Sequence, residues 1–203
     1  EALCLRSDIL DPDNMAAAWQ QAIDHFQHVD LLFNNACYQG PGNMQRLLDV
    51  TPQQLHNIYQ GNVFTPLQLV QLALPGMIAR GRGTVINMVS GSALNEPPAP
   101  ADEGGWGFAY PSSKAALIRM AGSIKAEHPA AGLKVFNVEP GFVMTEVMRD
   151  NGLDDAIAAR FNPTAPETVA QVIRWLAEDE QAIEQMQYTV TFAPQLAAKL
   201  GLQ

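Results

Sequence analysis

Apolar residues along the chain follow two rhythms. Compact apolar runs at 2–5, 29–33, 84–89 and 133–138 read as buried strands, and 188–192 as a last one. Between them Met15, Trp19, Ala22, Ile23 and Phe26 recur at helical spacing. Asp11, Pro12 and Asp13 supply that helix with an N-cap, a proline at its first position and an acidic first turn. Thr51 and Pro52 start a long helix carrying Leu55, Ile58, Tyr59, Leu67 and Val70. Residues 111–128 and 166–179 predict further helices, with shorter ones at 154–161 and 195–200. The stretch 90–109, rich in proline and glycine, reads as a loop. Strands alternating with helices predict a parallel α/β sheet. No repeat or long linker divides residues 1–203, so a single domain is expected.

Composition narrows the function. The chain has 203 residues, 47% of them hydrophobic, which is enough for one real core. Its net charge of -9, with no run of Lys or Arg, argues against nucleic acid or an anionic membrane surface as partner. Cys4 and Cys37 have no further Cys or His at metal-ligand spacing. Neither a disulfide framework nor a metal site is expected, and a reducing cytoplasm fits. No uninterrupted apolar run reaches the ~18 residues of a membrane span.

The polar residues cluster informatively. Asn34-Asn35, Ser90 and Pro140-Gly141 each fall at or just past the carboxyl end of a predicted strand, the edge where open parallel sheets bind ligands. Tyr110 and Lys114 stand at i and i+4, on one helix face. A tyrosine with a pKa of ~10 is a poor acid or base at neutral pH, and a neighbouring ammonium pulls that value down. The pair reads either as a proton-transfer couple or as an amphipathic helix start. Pro66, four residues after Asn62, removes the N–H that the Asn62 carbonyl would bond. That predicts a kink with a carbonyl free for water, or a helix that ends and restarts. His25 and His28 read as solvated at a helix end, and His56 and His128 have no partner in sequence. Asp8 either caps a turn or meets a ligand.

Together and in this order, these motifs resemble the classical short-chain dehydrogenase/reductase family, over residues 2–177. The resemblance implies a Rossmann-like doubly wound parallel sheet and an NAD- or NADP-dependent oxidoreductase interconverting an alcohol and a ketone or aldehyde. It implies that Tyr110 is the general acid or base and that Lys114 lowers its pKa and bonds the nicotinamide ribose. Ser90 holds the substrate oxygen, and Asn62 holds a water that links Lys114 to solvent. Asp8 and Ile9 meet the adenine, and Asn35 and Ala36 line the adenosine pocket. Pro140, Gly141, Val143 and Thr145 contact the nicotinamide end. The substrate is expected to be small to medium and apolar, from Phe142, Val143, Met144, Val147 and Met148. Pairing through the long helices gives a homodimer or homotetramer.

The chain departs from the family at its front. The family's glycine-rich phosphate turn is not in the sequence, so the sheet is expected to lack its first β-α-β-α segment. Cys37 replaces the glycine usual after Asn-Asn-Ala, and the loop from Ser90 to Tyr110 is longer than usual, which predicts that it shapes the substrate entrance. A cofactor-deficient scaffold on the same fold is the competing reading. An epimerase or dehydratase of the extended branch needs a larger C-terminal domain. From this reading, residues 1–203 bind nicotinamide cofactor poorly, and isothermal titration with NADH and NADPH is expected to show no saturable binding. Micromolar affinity would refute it.

Overall fold

The computed structural model describes residues 1–150, 152, 162–186 and 189–202. The helix expected at 154–161 and the start of the strand expected at 188–192 lie outside them. The elements run α1 (Pro12–Phe26), β1 (Leu31–Asn34), α2 (Pro52–Tyr59), a π-helical turn (Gln60–Phe64) and α3 (Thr65–Arg80). After β2 (Gly83–Met88) come two single 3₁₀ turns (Gly91–Ala93 and Ala101–Glu103), α4 (Ala109–Glu127) and β3 (Leu133–Glu139). The chain continues through α5 (Glu146–Asp150), α6 (Pro166–Glu178), α7 (Gln181–Met186), β4 (Val190–Phe192) and α8 (Ala193–Leu200).

The four strands lie in the order β1-β2-β3-β4, every pair parallel. Each connection therefore crosses over through helices, and both faces of the sheet are covered. On one face Val85 and Val135 pack with Val70, Ala73 and Met77 of α3 and with Ala121 and Ile124 of α4. On the other, Ile86, Met88, Phe136 and Val138 meet Val169, Val172 and Leu176 of α6 and Leu196 and Ala197 of α8. The alternation of Val85 and Ile86, or Val135 and Phe136, between layers is the two-residue pleat of a strand. All six residues of β2 are buried.

Local signals set the helix ends as expected. The Asp11 carboxylate accepts from the N–H groups of Asp13 and Asn14. Thr51 and Gln54 form a reciprocal capping box, at 3.2 and 2.9 Å. At Pro66 the helical run widens into a π turn, with Thr65 N–H bonding the Gln60 carbonyl five residues back. A proline cannot donate, and the extra residue in the turn accommodates this without breaking the helix. The combined run Pro52–Arg80 is long and apolar enough, by length and composition, to cross a membrane. Here it packs against α1, α4, β1 and β2 as one layer of the domain.

The expected strand at 2–5 does not form. Those residues are mostly exposed and join no ladder. A strand is stabilised by its neighbour's backbone, and none lies beside this segment among the described residues. The first ladder strand is instead β1, and no described strand pairs with its outer edge, where Leu31 and Phe33 are exposed. The turn after residues 2–5 is anchored, because Thr65 Oγ1 donates to the Ile9 carbonyl at 2.7 Å and Gln68 donates to Pro12 at 2.9 Å.

A row of buried asparagines crosses the sheet. Asn34, Asn87 and Asn137 occupy matching positions of β1, β2 and β3. Asn34 Nδ2 donates to Asn87 Oδ1 at 2.9 Å, and Asn87 Nδ2 to Asn137 Oδ1 at 3.2 Å. Asn137 Nδ2 donates to the Ile118 carbonyl of α4 at 3.2 Å. Substituting Asn87 strands one buried donor and one buried acceptor. Asn87→Leu is expected to lower the free energy of unfolding by about 2–5 kcal/mol in urea titrations; a loss below about 1 kcal/mol would show that the row adds little.

Candidate active site

The first turn of α4 carries the chemistry. Tyr110 and Lys114 lie on its inner side, with Ser113, Lys114, Leu117 and Ala121 buried below. The Lys114 side chain is only 3% exposed. Its Nζ donates to the Met88 carbonyl at the end of β2, at 2.8 Å, and lies 5.8 Å from the centre of the Tyr110 ring. Burial pushes the Lys114 pKa down, while the adjacent Cys37 side chain acts in the opposite sense.

The Tyr110 hydroxyl faces groups from three strand ends. Burial raises its pKa above the ordinary tyrosine range, and Cys37, following β1, adds to the rise. The Ser90 hydroxyl, following β2, works the other way, and the Glu139 carboxylate at the end of β3 opposes ionisation again. The sequence led us to expect a tyrosine whose pKa is depressed by Lys114. The structure gives the opposite direction, because removing water from a phenolate is costly and of the neighbouring groups Ser90 alone acts to lower the value. Lys114 is itself biased toward its neutral form and directs its donor at a carbonyl.

Ser90 is extended (φ -148°, ψ 143°) and caps the 3₁₀ turn behind it. Its Oγ accepts from the Ser92 N–H at 3.3 Å and lies 2.9 Å from Ser92 Oγ. Asn62, 1% exposed in the π turn, is a strut. Its Nδ2 donates to Ser113 Oγ at 3.1 Å, its Oδ1 accepts from Tyr38 N–H at 2.8 Å, and Ser113 Oγ donates to the Tyr110 carbonyl at 2.7 Å. The asparagine side chain thus ties the loop after β1 to the catalytic helix. Gly61 beside it admits close packing: a Cβ there would stand 3.0 Å from both Ile9 and Tyr38 side chains.

The other expected ligand residues divide. Asn35 and Ala36 are exposed at the carboxyl edge. Asp8 builds a turn, its Oδ1 accepting from Leu10 N–H at 2.9 Å and its carbonyl from Asp11 N–H at 3.0 Å. Ile9 is held through its carbonyl by Thr65. Pro140, Gly141 and Val143 are half-buried, and Gly141 has φ +75° with no room for a Cβ beside Thr164. Thr145 is exposed and accepts from Met148 N–H at 3.3 Å, at the start of α5. Of the expected site, Tyr110, Lys114 and Ser90 come together directly and Asn62 joins through Ser113.

Three contributors escaped the sequence reading. Glu139 stands directly before Pro140-Gly141, so an acid at the ligand edge was the available signal. Ser113 lies three residues after Tyr110, and Cys37 was noted only as a departure from glycine. With Leu47 the loop 90–109 forms an open cavity of about 770 Å³ lined by Ser92, Ala93, Trp106, Phe108, Pro111 and Ser112. Ser92 bonds Ser90 and Pro111 follows Tyr110 directly, so the cavity adjoins the edge that carries these two residues. Arg46 clasps the loop there through Asp102 and Glu103, at 2.6 and 2.7 Å.

The donor set suits a nicotinamide nucleotide. A buried ammonium and a tyrosine hydroxyl side by side match the paired hydroxyls of a ribose. The sequence model of the short chain dehydrogenase family matches residues 1–156. An uncharacterized oxidoreductase of Schizosaccharomyces pombe is 27% identical over 194 residues, covering 88% of this chain and 78% of its own length. The short chain dehydrogenase asqE of Emericella nidulans is 27% identical over 191 residues, covering 88% and 68%. Among solved structures, a putative betaketoacyl-ACP reductase superposes with a TM-score of 0.73 at 27% identity, covering 93% of this chain and 74% of the other. A 4-hydroxyisoleucine dehydrogenase complexed with NADH, at 19% identity and a TM-score of 0.71, covering 91% and 76%, shares the fold.

The raised Tyr110 pKa has a direct readout. Because the folded state holds this proton more tightly than the unfolded chain, stability falls as pH climbs past about 10. In an alkaline ultraviolet titration Tyr110 ionises above the ordinary tyrosine range, and Tyr110→Phe removes that late step. An early step that disappears in the variant would contradict the assignment.

Proposed function

The chain belongs to the short-chain dehydrogenase family, and on that premise we propose that this oxidoreductase interconverts an alcohol with a ketone or aldehyde, using NAD or NADP. The observation that carries the reading is Tyr110, whose ring centre lies 5.8 Å from the Nζ of the buried Lys114 and whose hydroxyl is influenced by Ser90 at the end of β2.

Each residue has a distinct task. Tyr110 is protonated at neutral pH, since burial favours the neutral phenol, so it stands ready to give a proton to the oxygen of a carbonyl. Ser90 Oγ, fixed by Ser92, orients that oxygen toward the phenol. Lys114 and Tyr110 hold the ribose of the nucleotide, which supplies or accepts the hydride when bound. Asn62 acts through Ser113 on the Tyr110 backbone and keeps the helix start in place. Asn35, Ala36, Pro140, Gly141 and Val143 form the rest of the nucleotide's surroundings in this reading. A protonated tyrosine favours carbonyl reduction as the direction that needs no prior proton loss.

The partner of this chain in the same reading is a second copy of itself. Phe64, Leu67 and Leu72 are exposed large apolar residues along the run from the π turn through α3, and pairing through such helices gives a homodimer or homotetramer.

Tyr110→Phe tests the mechanism. In the full-length protein the variant keeps its circular dichroism spectrum and loses about 10²–10⁴-fold in kcat/KM for a ketone, the usual worth of general acid catalysis. Turnover within threefold of the parent would end the proposal.

A further inference from the structure

Glu139 has no part in the proton path just described. It ends β3 on the face packed by α4, one pleat beyond Asn137. One carboxylate oxygen accepts the Gly141 N–H at 3.0 Å. The other is turned toward the turn after Ser90, where a Cβ built on Gly91 would meet it at 3.7 Å. Among the described residues no Lys, Arg or His forms an ion pair with it. Its charge reaches the Tyr110 hydroxyl and opposes ionisation there. A half-buried carboxylate therefore borders the small volume in which a reacting carbonyl lies between Ser90 and Tyr110. An acceptor withdrawn from bulk water gains most from a donor that the ligand brings with it.

We propose that Glu139 is a specificity-determining residue that accepts a hydrogen bond from a hydroxyl on the carbon next to the reacting carbonyl, so that the preferred substrates are α-hydroxy ketones and, in the other direction, vicinal diols. This deepens the oxidoreductase reading and rests on it. Geometry and electrostatics agree on the donor. Glu139 Oε1 lies beside Gly91, the residue after Ser90, and its charge is felt at the Tyr110 hydroxyl, so a hydroxyl next to the reacting carbonyl is the donor nearest to it. A neutral hydroxyl enters a site already holding the Lys114 ammonium at less cost than a second cation would.

The test compares 2-hydroxyacetophenone with acetophenone on the full chain, by ligand-observed NMR titration and by turnover with NADH and NADPH. The parent is expected to favour the hydroxy ketone about tenfold or more, the scale of a hydrogen bond to a charged acceptor. Glu139→Ala brings the ratio close to one, and Glu139→Gln, which keeps an acceptor oxygen, retains part of it. Glu139 also holds the Gly141 N–H, so a purely structural role would weaken both ketones in parallel and preserve their ratio. That result, or a ratio near one in the parent, overturns the proposal. A binding preference that Glu139→Ala abolishes, without turnover of either ketone although NADH or NADPH binds saturably, supports the hydroxyl contact and sinks the oxidoreductase reading alone.

Discussion

Three asparagine side chains bonded in a row hold β1, β2 and β3 in one register, and the carboxyl edge inherits its geometry from that row. Cys37 and Ser90 each follow their strand's asparagine by three residues, and Glu139 follows by two. A slip of one residue would reverse every side chain of a strand and carry these groups to the opposite face. Apolar packing alone specifies β2 weakly, because both of its faces are buried and apolar residues suit either. Buried amides are stricter, since each needs a partner at a defined distance. The last bond of the row, to the Ile118 carbonyl, extends the same constraint to the helix that carries Tyr110 and Lys114.

The electrostatics of the site follow from that placement. The tyrosine and the lysine are packed out of water at a sheet edge, and burial shifts both toward their neutral forms. Lys114 offsets part of its cost with the Met88 carbonyl, and Tyr110 with Ser90. The carboxylate of Glu139 keeps the tyrosine's proton in place. The result is a proton donor stable across ordinary pH, next to an acceptor, Glu139, that can sort ligands by what they donate.

Much of this was legible in the sequence, for identifiable reasons. Most strand and helix rhythms, the Asp11 and Thr51 caps and the positions of Asn34, Ser90 and Pro140 at or past strand ends are local signals, and they appear where expected. The segment 2–5 has strand composition but no neighbouring backbone, and pairing is a non-local property that composition cannot supply. The direction of the Tyr110 pKa was misjudged because spacing reveals a lysine nearby but not the burial that outweighs it. The asparagine row was hidden for a related reason. Asn87 and Asn137 each look like a polar interruption of an apolar strand, and only their alignment across strands gives them partners. Asp8 was readable as a turn former or a ligand residue, and its bonds to Leu10 and Asp11 show the turn.

The loop between Ser90 and Tyr110 is secured differently from everything around it. Arg46, Asp102 and Glu103 fasten it to another loop, and it packs against the start of α4. Gly105 and Gly107 press against the Ala99 and Gln45 carbonyls, leaving no room for a Cβ. At its start Ser92 bonds Ser90. The loop is therefore pinned at both ends, and an exchanged insert would have to keep Ser92 and the Arg46 clasp while the residues between them diverge.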